Sequence, residues 1–120
     1  SLSYVGAVEP DLRLSGDMNL AGDAASVRLA NDSGSVDQIG YGTSSVKPQV
    51  AEGSPILATG SGPPSESFER KASSTSTEAT MASGGADAKK GNAFDSGDNA
   101  VDFVVRPVRD PQNLSSAAEP

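Results

Sequence analysis

An all-β domain with long polar loops is the fold class this chain predicts. Three observations lead there. Apolar residues recur at every second position in short runs: Leu12 and Leu14, Val27 and Leu29, Ile39 and Tyr41, then Val101, Phe103 and Val105. The runs are bounded by Gly, Pro, Asn, Asp and Ser, the residues that make turns. No stretch carries the apolar period of an amphipathic helix of useful length, and no internal repeat is present.

The elements follow in order. Residues 1–11 read as an N-terminal strand or lead-in, and the 12/14 spacing marks a strand beyond Pro10. Residues 24–42 (AASVRLANDSGSVDQIGYG) carry the best hairpin signal. Val27 and Leu29 take one face and Arg28 the other, and NDSG at 31–34 supplies the turn. Asp37, Ile39 and Tyr41 share a face of the return strand, where Gly40 and Gly42 point to a bulge or a close backbone approach. Residues 43–64 read as a long surface loop with one small apolar cluster, Ile56-Leu57. Residues 65–72 (SESFERKA) form a short strand with Phe68 inward and Glu69 and Lys71 outward. Residues 73–93 are polar and of low complexity, expected as a mobile excursion and not an element. Residues 100–106 (AVDFVVR) form the last strand, with Val101, Phe103 and Val105 on one face and Asp102, Val104 and Arg106 on the other. Residues 108–120 make a polar tail or linker.

Composition narrows the function classes. Leu, Ile, Val and Phe number 7, 2, 10 and 3 among 120 residues, and the net charge is −7. That is close to the level at which a chain stays unfolded on its own. The fold is therefore expected to be loop-rich, or completed from outside these residues. With no Cys there is no disulfide and no thiol nucleophile. With no His, triads of the Ser-His kind are excluded, as are the ordinary ligand sets for zinc and haem. The acidic balance argues against nucleic acid as a partner. No apolar run approaches a membrane span. GSGPP at 60–64 lacks the following Lys and helix of a phosphate loop. A carboxylate pair for hydrolysis needs a cleft, and two Tyr and three Phe are few to line one. The chain is accordingly expected not to be an enzyme. The start at Ser1, without a legible leader, reads as that of a processed or excised piece.

One stretch gathers hard oxygen donors: DSGDNAVDFVV, residues 95–105. Asp95, Asp98, Asn99 and Asp102 are of the type Ca²⁺ takes, and they are the candidate metal ligands. Their spacing lacks the alternating ligands and closing Glu of an EF-hand loop. Turn chemistry is the favoured reading, with Asp and Asn side chains accepting from nearby N–H groups and Gly97 permitting positive φ. Calcium remains the alternative, and no other cofactor is expected. Arg70, within FERK, is either an exposed strand charge or the partner of a loop carboxylate. Asn31-Asp32-Ser33 and Asn113-Leu114-Ser115 fit the N-glycosylation acceptor pattern.

Taken in order, SVRLAN-DSG-SVDQIGYG, the EG at 52–53, SESFERK at 65–71, DSGDNAVDF at 95–103 and the closing P-QN-x-SS-x-x-EP resemble the lamin-tail domain in its bacterial secreted form. The resemblance covers about residues 12–116. It implies an immunoglobulin-like β-sandwich over residues 12–107, with 73–93 as an enlarged loop. The family's opening strands are missing, so the sandwich is incomplete. The resemblance also implies a non-catalytic structural or interaction module at a bacterial surface or outside the cell. A half-sandwich exposes a sheet edge and an apolar face, so other chains or upstream strands are expected as partners, with a homo-oligomer or assembly among the options. Two alternatives stand beside this. One is a subunit of a surface assembly polymerising by strand exchange. The other is an accessory domain of a secreted nuclease or phosphatase.

Overall fold

The computed structural model describes residues 8–11, 20–58 and 67–119. Within them the chain is an all-β, sandwich-like small domain: two sheets and two single-turn helices. The first sheet starts with β1 (Ala25–Asn31) and β2 (Gly34–Gly42), an antiparallel hairpin. Its turn is Asp32-Ser33. The Ser33 N–H donates to Asn31 Oδ1 at 2.9 Å, and Gly34 takes φ +128°, a conformation that favours glycine. Register slips between Leu29 and Ala30, because Asp37 and Ser35 flank an extra residue, Val36. The expected bulge is thus at Val36 and not at the glycines. A two-residue strand, β3 (Ile56–Leu57), runs parallel to the end of β2.

The second sheet pairs β4 (Ser67–Arg70) with β5 (Phe103–Arg106), antiparallel. Cross-strand partners share a face. Phe68, Arg70, Phe103 and Val105 therefore line one side, and Ser67, Glu69, Val104 and Arg106 the other. The first side packs on β2. The Tyr41 and Phe68 rings lie 5.1 Å apart, and Arg70 Nη2 donates to Asp37 Oδ2 at 2.8 Å. The second side is covered by residues 73–93.

That cover corrects the expected mobile excursion. Thr77 caps a helical turn, α1 (Glu78–Met81), with a reciprocal capping box to Thr80. Met81 is buried, and the carbonyl of Met81 accepts from Arg106 Nη1 at 2.8 Å. Arg106 also pairs with Glu69, which sequence placed outward into solvent. Ser76 and Asp87 are buried and bonded to each other at 3.1 Å. Polar composition hid this because the segment folds by capping and side-chain bonds, with Met81 as its buried apolar anchor.

The expected strand over 100–106 is shorter than predicted. Residues Asn99–Asp102 form a second helical turn, α2, and extension starts only at Phe103. The helical turn rotates the face assignments. Val101, expected in the core, is 46 % exposed, whereas Asp102, expected outward, is 0 % exposed. Buried apolar side chains among the described residues are few: Ile56, Ala58, Met81 and Phe103. No strand lies in the described part of the lead-in, residues 8–11, and the Leu12/Leu14 spacing falls outside the described residues. The tail is mostly exposed and is tied to the lead-in. Asn113 Nδ2 donates to the Glu9 carbonyl at 2.9 Å, and the Leu114 N–H to Asp11 Oδ2 at 2.9 Å.

Gly40 and Gly42 serve close approach. A Cβ on Gly40 would meet the Val50 carbonyl oxygen at 2.2 Å and Ala51 Cβ at 2.6 Å. Residues 50–51 lie flat on that face of the hairpin, held by Ser26 Oγ, which donates to the Val50 carbonyl and accepts from its N–H. The neighbours are backbone, so relief requires main-chain movement. Gly40→Ala should destabilise by about 1–3 kcal/mol, the range for overpacking, read as a shift in urea midpoint with an unchanged slope.

Candidate functional site

The oxygen-rich stretch Asp95–Asp102 lies where β2, the 52–54 bend and the start of β5 meet. Its local geometry follows from its residues. Asp95 Oδ1 accepts the Gly97 N–H at 3.0 Å, an Asx turn that Gly97 completes with φ +76°. Asp98 caps α2: its Oδ1 accepts from the Ala100 N–H at 3.0 Å. Asp102 reaches back over the turn. Its Oδ1 accepts from the Ser96 N–H at 3.0 Å and the Ser96 hydroxyl at 2.6 Å, and its Oδ2 from the Asp98 N–H at 3.3 Å.

Asn99 faces the other way, into the first sheet, and is 0 % exposed. Its Oδ1 accepts from the Gly40 N–H at 2.8 Å and the Glu52 N–H at 3.1 Å. Its Nδ2 donates to the Gln38 carbonyl at 3.1 Å. Its own N–H donates to the Glu52 carbonyl at 2.9 Å, and the Ala100 N–H to the Ser54 carbonyl at 2.9 Å. The carboxamide thus occupies the second edge of β2 just before β3 begins, as one peptide unit of a strand would. Gly53 (φ +55°) lets the bend pass beneath: a Cβ there would sit 2.9 Å from three atoms of Asp98.

So the four candidate ligands do not share one centre. Asn99 serves β2 and residue 52, whereas Asp102 serves Ser96 and Asp98. Asp95, Asp98 and Asp102 accept from near neighbours, the turn chemistry the sequence favours, but Asn99 departs from it and accepts from Gly40 and Glu52, far away in sequence. Among the described residues no group of three or more acidic side chains is placed to hold a metal.

Arg70 is the second centre, and its ion pair was only an option in sequence. Its side chain is 14 % exposed. Nη2 pairs with Asp37 across the sheets, Nη1 donates to the Phe94 carbonyl at 3.2 Å, and Asp95 Oδ1 lies 3.7 Å away. The guanidinium carbon sits 4.8 Å from the centre of the Phe103 ring. The principal partner is a strand residue, Asp37, and its pairing depends on a register that spacing alone does not give. A groove of about 420 Å³ runs along β4, lined by Phe68, Glu69, Arg70, Asn92, Arg109 and Gln112 among others.

Among the described residues, Tyr41 and Asp87 have shifted pKa values. Burial, and then the nearby Asp23 carboxylate, push the Tyr41 hydroxyl up, and that hydroxyl donates to the Ala21 carbonyl. Asp87 is held down to about 2, first by the hydrogen bond from Lys90 and then by that from Thr80. No family model matches the chain, and neither does any curated protein or solved structure.

Two outcomes follow. Asn99→Ala strands one buried donor, the Gly40 N–H, at a cost of about 1–3 kcal/mol, and two part-buried groups, the Glu52 N–H and the Gln38 carbonyl, at less. The loss should therefore reach about 2–3 kcal/mol in denaturant unfolding, with early hydrogen exchange at the Gly40 amide. For Asp87, a depressed carboxyl pKa stabilises the fold above the unfolded value near 3.8 and is lost as pH falls toward 2. Wild type should lose stability relative to Asp87→Asn across that window, and the Asp87 carboxyl signal should titrate near 2 by NMR.

Proposed function

We propose that this chain is a non-catalytic structural or interaction module of lamin-tail type that works outside the cell or at its surface. One observation carries the reading. The motifs behind the resemblance are scattered through the chain, yet they meet around Asn99 and Arg70. The hairpin supplies Gly40 and Asp37, the EG supplies the bend at 52–53, FERK supplies Arg70, and DNAVDF supplies Asn99 and Phe103. Their order in sequence is thus the order demanded by one polar junction. The chemistry of that junction supports the same reading. The Asn99 amide, the Asp95, Asp98 and Asp102 carboxylates and one Asp37 oxygen are engaged by the chain's own N–H groups, hydroxyl and guanidinium, although Asp37 Oδ1 and Glu52 Oε2 are buried without a hydrogen-bond partner.

The partners are other chains or further strands that complete the sheets. Among the described residues no helix is long and apolar enough to cross a membrane. Calcium is not required in this reading. Neither is attachment to a catalytic domain, although an accessory role beside a secreted nuclease or phosphatase would use the module in the same way.

The test pairs melting with turnover. The melting temperature should stay fixed on adding millimolar Ca²⁺, since a ligand that binds only the native state must raise it. Model phosphodiesters, phosphomonoesters and glycosides should remain uncleaved with Ca²⁺, Mg²⁺ or Zn²⁺ present. A calcium-dependent rise would restore the Asp95–Asp102 metal site, and turnover of any substrate would overturn the non-catalytic reading.

A further inference from the structure

At the outer strand of the hairpin, an apolar row lies beside backbone that no strand among the described residues pairs. Gln38 and Gly40 of β2 turn their backbone groups toward Asn99. Strands alternate, so Asp37, Ile39 and Tyr41 turn theirs toward β1, where Leu29, Val27 and Ala25 answer. Ser26, Arg28 and Ala30 therefore present N–H and C=O groups at the outer edge of β1, where no described strand pairs. Val27 and Leu29 share the face of Ile39 and Tyr41. That face is covered by β4 over β2, but Val27 is 40 % and Leu29 63 % exposed.

We propose that this edge pairs with a second copy of the chain, β1 against β1, antiparallel about a two-fold axis at Leu29. The inference rests on the interaction-module reading and names its partner. The register comes from side-chain chemistry. Centring on Leu29 sets Leu29 opposite itself in the close, non-hydrogen-bonded position, and sets Arg28 opposite Ala30. Arg28 then lies diagonal to the partner subunit's Asp32, an exposed carboxylate at the hairpin tip, and on its other diagonal to the partner subunit's Arg28, so two opposite-charge diagonals stand against one like-charge diagonal. Centring on Arg28 would place two guanidinium groups face to face. Centring on Val27 would leave Arg28 without a carboxylate; centring on Ala30 would set Arg28 opposite Asp32 but Leu29 against Asn31, losing the apolar pair that decides the register. Pairing at Leu29 joins the two hairpins into one continuous sheet and merges the two exposed apolar rows.

The absence of cysteine makes the test clean. In sedimentation velocity the full chain should shift from monomer to dimer as concentration rises. Leu29→Lys and Arg28→Pro should both remain monomeric with wild-type circular dichroism, since Leu29 is already exposed and Arg28 donates only outward. A single-cysteine Leu29→Cys chain should form a disulfide dimer on mild oxidation, because the close pair brings Cα atoms to about 4.5 Å, within bridging range. Arg28→Cys should cross-link more slowly. A chain monomeric at every concentration, a dimer that survives Leu29→Lys, or faster cross-linking at position 28 would each overturn the pairing. Such a failure removes self-association alone, since the interaction-module reading is tested separately by calcium and turnover.

Discussion

The structure depends on one carboxamide. β2 is flanked by a strand on one side, but β3 reaches only its last two residues. Between the turn and β3, the second edge of β2 would otherwise present bare backbone. Asn99 fills that edge with both halves of an amide, donor to Gln38 and acceptor from Gly40. No other side chain of that size carries a donor and an acceptor in peptide-like geometry. Asp would offer two acceptors to a carbonyl, and Leu would offer neither. The same oxygen also collects the Glu52 N–H, so the edge and the bend share one anchor.

This matters more here than in a richer domain. With four apolar side chains buried among the described residues, hydrophobic burial alone is thin. Buried polar links then hold elements that packing would hold elsewhere, and their magnitudes rank them. Lys90 is largely exposed, so its pair with Asp87 resembles surface pairs worth about 0–1 kcal/mol. Arg70, half-buried, and Arg106, buried, lie at opposite faces of the β4–β5 ribbon, one tying it to β2 and the other to α1. Losing one partner of a fully buried pair costs about 3–5 kcal/mol; Asp37 and Glu69 are 35 % and 28 % exposed, so solvent screening holds these pairs below that range. The ribbon is therefore fixed on both faces by guanidinium groups, with Phe103 packed beneath Arg70.

How much of this was legible follows from the range of each interaction. The β1–β2 hairpin was readable because alternation and turn residues are local signals, and Val27, Leu29 and Ile39 sit as the period predicts. The close approach at Gly40 was readable because glycine has few other reasons to interrupt a strand. The inward-facing Asp102 was not readable. Strand alternation puts Asp102 outward, and only the helical turn capped by Asp98 rotates it inward. The cover over 73–93 was hidden for a related reason. Its order comes from Thr77 capping and the Ser76–Asp87 bond, and in composition these residues look like linker. As for the candidate ligands, sequence found the turn chemistry of Asp95, Asp98 and Asp102 but not the long-range role of Asn99. It did not show that Asn99 and Asp102 face opposite directions, which depends on a chain segment 59 residues away.

Separation in sequence also explains why the polar junction and the exposed hairpin edge belong to one design. The hairpin forms from neighbours, but Asn99 joins it only after the chain has closed a loop of about sixty residues. Closing such a loop is entropically costly, though the cost grows only slowly with length. Until it closes, both edges of the hairpin are open to other strands. Asn99 then occupies one edge through a side chain, engaging the Gln38 carbonyl and the Gly40 N–H there. The outer edge of β1 receives no such occupant among the described residues, and Leu29 stands exposed beside it. A chain that occupies one edge with a buried amide and leaves the other apolar has made its two edges unequal. That inequality directs any strand addition to β1.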